Sequence, residues 1–218
     1  MRTASFAFLL TLAQVACSGQ AAAADTLARI KATGEIRLGY FDASAPFSSA
    51  GPDKSPQGYS VDLCQRIAAG IQRQLGLPQL KTTWVALGLG DRIEAVRGGR
   101  IDIECGTSTW TFARQQLVDF SMMTFIDGAS LMVAADSGIK RIADAGGKRI
   151  AVIRGTTTDR ALVAALAKDK VQAEVIRVDK REQGLALLTE GRADAFASDR
   201  FLLINALVSA GATRPLKL

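Results

Sequence analysis

The chain has 218 residues, of which 48% are hydrophobic and 22% are charged, and its formal net charge is +6 at pH 7. This composition predicts a globular protein with one or two cored domains and argues against a disordered chain. The sequence contains no histidine, which excludes nucleophiles activated by imidazole and histidine-based zinc and copper sites. The basic residues are scattered, so we do not expect a nucleic-acid-binding surface.

The N-terminus has the three parts of a secretory signal. Arg2 supplies the positive charge, residues 6–15 form an apolar run, and the alanines at 21–24 provide small side chains before a cleavage point after Ala24. The apolar run is too short to span a bilayer. We therefore expect residues 1–24 to be removed from an exported protein. Lipidation at Cys17 is the alternative that the sequence leaves open.

Two cysteines follow this segment, Cys64 and Cys105. In an oxidising compartment they could form a disulfide. Two buried free thiols are an equal alternative, because the sequence does not show whether the cysteines are close in space. Their spacing matches no metal-binding motif, and we predict neither a metal site nor a cofactor.

Hydrophobic periodicity and glycine or proline breaks divide the chain into alternating strands and helices. In the first half they predict strands over 35–41, 80–87, 101–105, 117–120 and 129–134, and helices over 59–75 and 91–97. Polar residues at 135–138 mark a boundary. In the second half they predict helices over 139–144, 156–168, 181–190 and 199–208, and strands over 149–153, 173–178 and 193–198.

This alternation is typical of an α/β fold with mostly parallel sheets and right-handed crossovers. The boundary predicts a first lobe of residues 25–134 and a second lobe of residues 135–218. Ligands of such sheets bind beyond the carboxyl ends of the strands. Polar segments at these ends are therefore the candidate ligand contacts.

The first such segment is DIECGTSTWTFARQQLVDFS, residues 102–121. Its Arg114 can hold a carboxylate through two parallel hydrogen bonds, a geometry that lysine cannot reproduce. Thr107, Ser108 and Thr109 follow a glycine and can add hydroxyl and backbone donors. Taken singly, an arginine is more often part of a surface ion pair, and a Ser/Thr run is more often an ordinary polar loop.

The second segment, RGTTTD at 154–159, joins a strand to a helix. A glycine allows the turn, and Thr156 or Thr157 can cap the helix, whose free amides favour an anion. An ordinary cap that binds nothing has the same pattern. Asp199, after strand 193–198, could pair with an ammonium group or cap the next helix. Together with Arg114, these groups match the two charges of an amino acid.

With these residues the sequence resembles the family-3 periplasmic solute-binding proteins of ABC transporters, which bind amino acids, and especially their glutamate/aspartate-binding branch. The matching segments, in order over 34–200, are EIRLGY, GYSVDLCQRIA, IDIECGTST with Arg114 and VDFS, GKRIAVIRGTTTD and GRADAFASD. The resemblance implies a two-lobe (type II) periplasmic-binding-protein fold with the ligand in the inter-lobe cleft. It also implies a monomer in the periplasm that delivers an amino acid to an ABC permease in the inner membrane, without catalysis.

In this family the hydroxyl loop and arginine of one lobe and the threonine-led helix of the other hold the α-carboxylate, and an aspartate holds the α-amino group. These roles fall on Thr107, Thr109, Arg114, Thr156 and Asp199. Arg92 matches a ligand-facing arginine of the glutamate/aspartate branch, and Arg181 stands where that branch has a histidine. Phe41 replaces an arginine that holds the side-chain carboxylate, so the resemblance leaves the side-chain specificity open.

Family members continue with a strand that returns to the first lobe and a closing helix, whereas this sequence stops at residues 214–218. We expect either a fragment or a first lobe that lacks one element and exposes a sheet edge. Either form should be less stable than a complete relative.

Two other functions are compatible with this fold. A dehydratase of the cyclohexadienyl type needs a carboxylic acid in the cleft as proton donor. Glu104 and Asp127 are the nearby candidates, and we interpret both as solvated charges at strand ends. A ligand-sensing module of a signalling receptor normally has a transmembrane helix, and the sequence predicts none after the signal.

Overall fold

The structure is a computed structural model that describes residues 25–209 and 215–218. The signal segment and Cys17 lie outside the described residues. The helices are α1 (Thr26–Thr33), α2 (Tyr59–Gln74), α3 (Arg92–Arg97), α4 (Phe112–Gln115), α5 (Thr157–Lys168), α6 (Arg181–Thr189) and α7 (Arg200–Ser209). The strands are β1 (Glu35–Phe41), β2 (Ala43–Ser44), β3 (Ser48–Ala50), β4 (Pro56–Gln57), β5 (Lys81–Leu87), β6 (Ile103–Glu104), β7 (Ala129–Ala134), β8 (Arg149–Ile153), β9 (Glu174–Val178), β10 (Ala195–Asp199) and β11 (Leu216–Lys217). In this part of the chain no helix has the length and apolar character needed to cross a membrane.

The first lobe is built on a parallel sheet with β1 at its centre. The apolar sequence of β1 pairs with β5 on one side and β6 on the other. One face packs Ile36 and Leu38 against α1 and α2, and the other packs Phe41 against Leu87 and Ile101. In β1 the polar residues Glu35 and Arg37 alternate with buried Ile36 and Leu38, and the strand is buried on both faces from Leu38 to Phe41, as is typical of a central parallel strand.

A disulfide joins the two cysteines of the described chain. Cys64 in α2 and Cys105, directly after β6, have their Cα atoms 6.0 Å apart and are covalently linked. Of the two alternatives that the sequence left open, the structure has the disulfide. The bond ties helix α2 to the start of the loop at residues 106–109, so it anchors that loop to the lobe core.

The second lobe is a five-stranded sheet in the order β11-β7-β10-β8-β9. Strands β8, β9 and β10 are parallel, whereas β7 and β11 run antiparallel to their neighbours. The sequence predicts residues 129–134 as the last strand of the first lobe, but they pair with β10 in the second sheet. An apolar run predicts a buried strand without indicating its partner strand.

Two local predictions differ from the structure, and one helix was not predicted. Residues 117–120 form a turn and a bend that continue into irregular backbone, and helix 139–144 is reduced to a short 3₁₀ turn over Ile142–Ala145. Helix α4 was not predicted, because its sequence lies within a polar stretch typical of a loop. It begins where the Thr111 side chain accepts a hydrogen bond from the Arg114 amide, a local cap that starts a short helix.

Each face of the second sheet has its own core. In one core, Ile150 and Val152 of the sheet pack with Leu162 of α5. In the other, Phe196 of the sheet packs with Leu188 of α6 and Leu203 of α7. The carboxyl ends of β8 and β10 thereby point toward the carboxyl end of β6 in the first lobe. These strand ends form the cleft.

Candidate ligand-binding cleft

The cleft between the lobes contains a cavity of about 400 Å³ that residues of both lobes line. The first lobe contributes the loop 106–109, the second contributes the start of α5 and the end of β10, and the segment 120–129 also lines this cavity. A smaller neighbouring cavity, of about 30 Å³, shares part of this lining. The residues common to both cavities are Thr107, Thr109, Thr157, Thr158 and Asp199.

The loop 106–109 is held from several sides. The Ser60 hydroxyl donates to the Gly106 carbonyl oxygen at 2.8 Å, and the disulfide fixes the preceding residue. A side chain at Gly106 would place its Cβ 2.2 Å from the Phe41 ring and 2.3 Å from Glu104 Oε1. Glycine is therefore required by space at this position, and it lets the loop lie directly on the lobe core.

Arg114 braces the same loop. Its guanidinium Nη1 donates to the Thr109 carbonyl oxygen at 2.8 Å, and the side chain does not itself line either cavity. Partial burial lowers the pKa of Arg114, as do the positive charges of Arg92 and Arg160, while Glu104 raises it. The guanidinium nevertheless stays charged, because an arginine does not lose its proton in a protein.

In the second lobe Gly155 makes the turn into α5 with φ of 70°, which favours glycine. Thr156 is the cap, since its Oγ1 accepts from the Asp159 amide and donates to the Ile153 carbonyl oxygen. Thr157 faces the first lobe, with its Oγ1 3.2 Å from Thr109 Oγ1. Thr156 lines only the smaller cavity and has its hydroxyl committed to the cap, so Thr157 is the threonine whose hydroxyl reaches across the cleft.

Asp199 ends β10 and lines both cavities. Its Oδ1 accepts a hydrogen bond from the Thr158 hydroxyl at 2.9 Å. Helix α7 is capped by another residue, because the Phe201 amide donates to Asp127 Oδ2 at 2.9 Å. The Asp199 carboxylate is therefore oriented by Thr158 and remains directed at the cleft.

Arg92 and Arg181 both line the smaller cavity. Arg92 is 8% exposed and donates from Nη1 to the Leu89 carbonyl oxygen. Arg181 donates to Ser198 Oγ at 2.6 Å and to the Ala43 carbonyl oxygen at 3.4 Å, which links the two lobes. Burial lowers the pKa of both arginines, and the charge of Asp199 opposes that shift.

The interpretation of Glu104 as a solvated charge is wrong. Burial raises the pKa of its carboxyl group, and the Ser108 hydroxyl and the charges of Arg92 and Arg114 act in the opposite direction. Neither Glu104 Oε1 nor Ser108 Oγ has a hydrogen-bond partner among the described residues. Glu104 lies behind the loop and lines neither cavity.

Sequence reasoning missed Arg160 and did not assign Thr157 or Thr158 to the cleft. Arg160 acts electrostatically on Arg92 and Arg114, and it follows Thr156 by one helical turn on α5. The spacing i, i+4 places two residues on the same helix face, and that signal could have identified Arg160. In the described part of the chain no cluster of acidic or cysteine side chains could hold a metal ion.

This geometry agrees with comparisons to known proteins. Residues 36–199 match the bacterial extracellular solute-binding proteins, family 3. The chain belongs to this family. The L-glutamate/L-aspartate-binding protein of Pseudomonas aeruginosa is 38% identical over 186 residues, which are 85% of this chain and 62% of that protein. The chain thus spans less than two thirds of this family-3 relative.

Solved structures of amino-acid-binding proteins have the same fold. The cysteine-binding protein of Campylobacter jejuni is 25% identical, with a TM-score of 0.75 over 88% of this chain and 73% of that one. An ancestral amino-acid-binding protein, a precursor of cyclohexadienyl dehydratase, is 28% identical, with a TM-score of 0.72 over 84% and 77%. The predicted family resemblance and the two-lobe family-3 fold are confirmed.

Proposed function

We propose that this protein is the periplasmic substrate-binding component of an ABC transporter for an acidic amino acid, glutamate or aspartate. The observation that carries the proposal is the charge of the cleft. In or beside the cleft, four arginines, Arg92, Arg114, Arg160 and Arg181, stand against three carboxylates, Asp127, Asp199 and Glu104. This excess of positive charge complements a ligand with two carboxylates and one ammonium group.

Each end of such a ligand has a partner in the cleft. Thr107 and Thr109, on the loop that Arg114 braces, offer donors to the α-carboxylate from the first lobe. The hydroxyl of Thr157 and the amides that begin α5 offer donors from the second lobe. Asp199, oriented by Thr158, is the partner for the α-ammonium group.

The side-chain carboxylate is assigned to the buried arginines. Arg92 and Arg181 lie together in the smaller cavity, beyond the threonines. Burial strengthens their interaction with an anion because little water screens the charges. This pair supplies positive charge that Phe41 does not, and it supports a dicarboxylate over a neutral amino acid.

Contacts between the lobes indicate how binding is coupled to closure. Thr109 meets Thr157, Arg181 reaches Ala43, and Phe47 lies 5.6 Å from Phe201 between ring centroids. A ligand that contacts both lobes stabilises only the arrangement in which they are together. We propose that the closed monomer is the form presented to the permease after the segment 1–24 has directed export.

The positions of Glu104 and Asp127, the two candidate proton donors, do not favour a dehydratase. Glu104 lines neither cavity, and Asp127, which lines the larger one, has both carboxylate oxygens accepting backbone amides, from Gly128 and Phe201. A dehydratase needs a proton donor that reaches the substrate. Incubation with prephenate and arogenate tests this directly, and product formation would replace the binding proposal by an enzymatic one.

Isothermal titration calorimetry with a panel of amino acids tests the proposed ligand. We expect glutamate or aspartate to bind more tightly than glutamine or asparagine, which have nearly the same shape without the second negative charge. The amides are therefore matched control ligands. Absence of heat with every amino acid would overturn the proposal, and a preference for the amides would overturn the assignment of Arg92 and Arg181.

A further inference from the structure

Three buried polar atoms beside the loop 106–109 have no hydrogen-bond partner among the described residues. They are Arg92 Nε, Glu104 Oε1 and Ser108 Oγ. Buried polar groups are normally paired, and each exception calls for a physical reason. These three atoms come from groups that also interact electrostatically, so they form one cluster, which we call the Glu104 cluster.

Opposing effects act on the protonation of the Glu104 carboxyl group. The charged groups that act on it are Arg92, from α3, and Arg114, from α4. Both favour the ionised carboxylate, whereas burial favours the neutral acid. The loop backbone packs against the carboxyl group on its other side, as shown by the 2.3 Å from Glu104 Oε1 to a Cβ built on Gly106.

A bound ligand would change the relative stability of the ionised and neutral forms of Glu104. Under the proposed function, a side-chain carboxylate binds at Arg92 and an α-carboxylate binds to the loop that Arg114 braces. Each ligand carboxylate then offsets the positive charge that had stabilised ionised Glu104, and it adds a like charge nearby. A like charge favours the neutral form of a carboxyl group.

We propose that Glu104 takes up one proton from solvent when the cleft binds an acidic amino acid, so that capture of the ligand is coupled to protonation behind the loop. This inference rests on the proposed function, since it requires an anionic ligand in the cleft.

The direction in which ligand affinity depends on pH follows from the direction in which binding shifts the pKa of Glu104. Binding raises the pKa of Glu104 above its value in the free protein. Affinity for the acidic ligand is therefore greatest below the free-state pKa, falls as pH rises between the free and bound values, and levels off above the bound value. With one proton taken up, the fall is at most about tenfold per pH unit.

Calorimetry in buffers of different ionisation enthalpy measures the proton directly. We would titrate the protein with L-glutamate and L-aspartate between pH 5 and pH 8, and expect a binding enthalpy that depends on the buffer, with the sign of proton uptake. The variant Glu104→Gln mimics the neutral acid and should bind without this dependence. The matched control Glu94→Gln removes an exposed carboxylate and should retain it.

Ser108→Ala provides a second variant in case Glu104→Gln does not fold. The Ser108 hydroxyl lowers the pKa of Glu104, so its removal should shift the pH midpoint of proton uptake upward. Glutamate that binds without proton uptake at any pH in the range would overturn the inference and leave the proposed function intact. Uptake that persists in Glu104→Gln, or a midpoint unmoved in Ser108→Ala, would also overturn it. Absence of binding would instead overturn the proposed function.

Discussion

The substitution Gly106→Ala tests whether the loop 106–109 depends on close packing against the first-lobe core. The added Cβ would lie 2.2 Å from the Phe41 ring, which is about 1.3–1.8 Å short of a normal carbon–carbon contact. Phe41 is 2% exposed and packs against Leu87 and Ile101, so it has little room to move. Overpacking of this kind costs about 1–3 kcal/mol.

This energetic cost predicts two measurable changes, one in thermal stability and one in affinity. A cost of about 2 kcal/mol should lower the Tm by about 4–8 °C for a chain of this size, as measured by circular dichroism. If the loop moves instead of Phe41, Thr107 and Thr109 move with it. Loss of one or two hydrogen bonds of about 1 kcal/mol each should then weaken glutamate binding by roughly 5- to 30-fold in calorimetry.

Gly70→Ala is the matched control for this substitution. Gly70 lies inside α2 with no atom within 4 Å of an added Cβ, so alanine should stabilise the helix by about 0.5–1 kcal/mol and leave affinity unchanged. The variant Gly106→Ala with Phe41→Leu should recover part of the lost affinity, because the smaller side chain makes room for the Cβ. A Gly106→Ala protein with the parental Tm and affinity would refute this account of the loop.

Three further substitutions test separate contacts. Arg114→Glu should reduce affinity for glutamate by at least about 100-fold in calorimetry, because it removes a charge-assisted brace and adds a like charge; an unchanged Kd would contradict the role of Arg114. Replacing Cys64 and Cys105 by alanine should cost about 4 kcal/mol of unfolding free energy for a sequence separation of 41 residues, measured by urea denaturation, with reduction of the parent protein as the control. Phe201→Ala should lose ring contacts with Phe47 and Phe125 worth about 0.5–1.5 kcal/mol each, which should weaken binding by favouring open lobes. Val208→Ala, at an exposed position of the same helix, should not, and equal effects of the two would argue against an aromatic contact between the lobes.

Local sequence was sufficient to predict most strands and the segments that line the cleft. Strand β8 is a continuous apolar run after Arg149, and burial of such a run does not depend on knowing its partners. Thr107, Thr109 and Asp199, which line both cavities, are candidates from sequence because polar residues at strand ends indicate a site in an α/β fold. The turn at Gly155 and its threonine cap were likewise visible, since a glycine and a hydroxyl satisfy local backbone geometry.

Only the tertiary structure decided which distant groups meet. The pairing of Cys64 with Cys105, the placement of β7 in the second sheet and the burial of Glu104 all depend on contacts between residues far apart in sequence. The choice of Thr157 over Thr156 as the threonine that reaches across the cleft depends on which hydroxyl the helix cap already uses. Periodicity and propensity describe a segment and its own neighbours, whereas burial, disulfide distance and electrostatic coupling are set by the packing of separate elements.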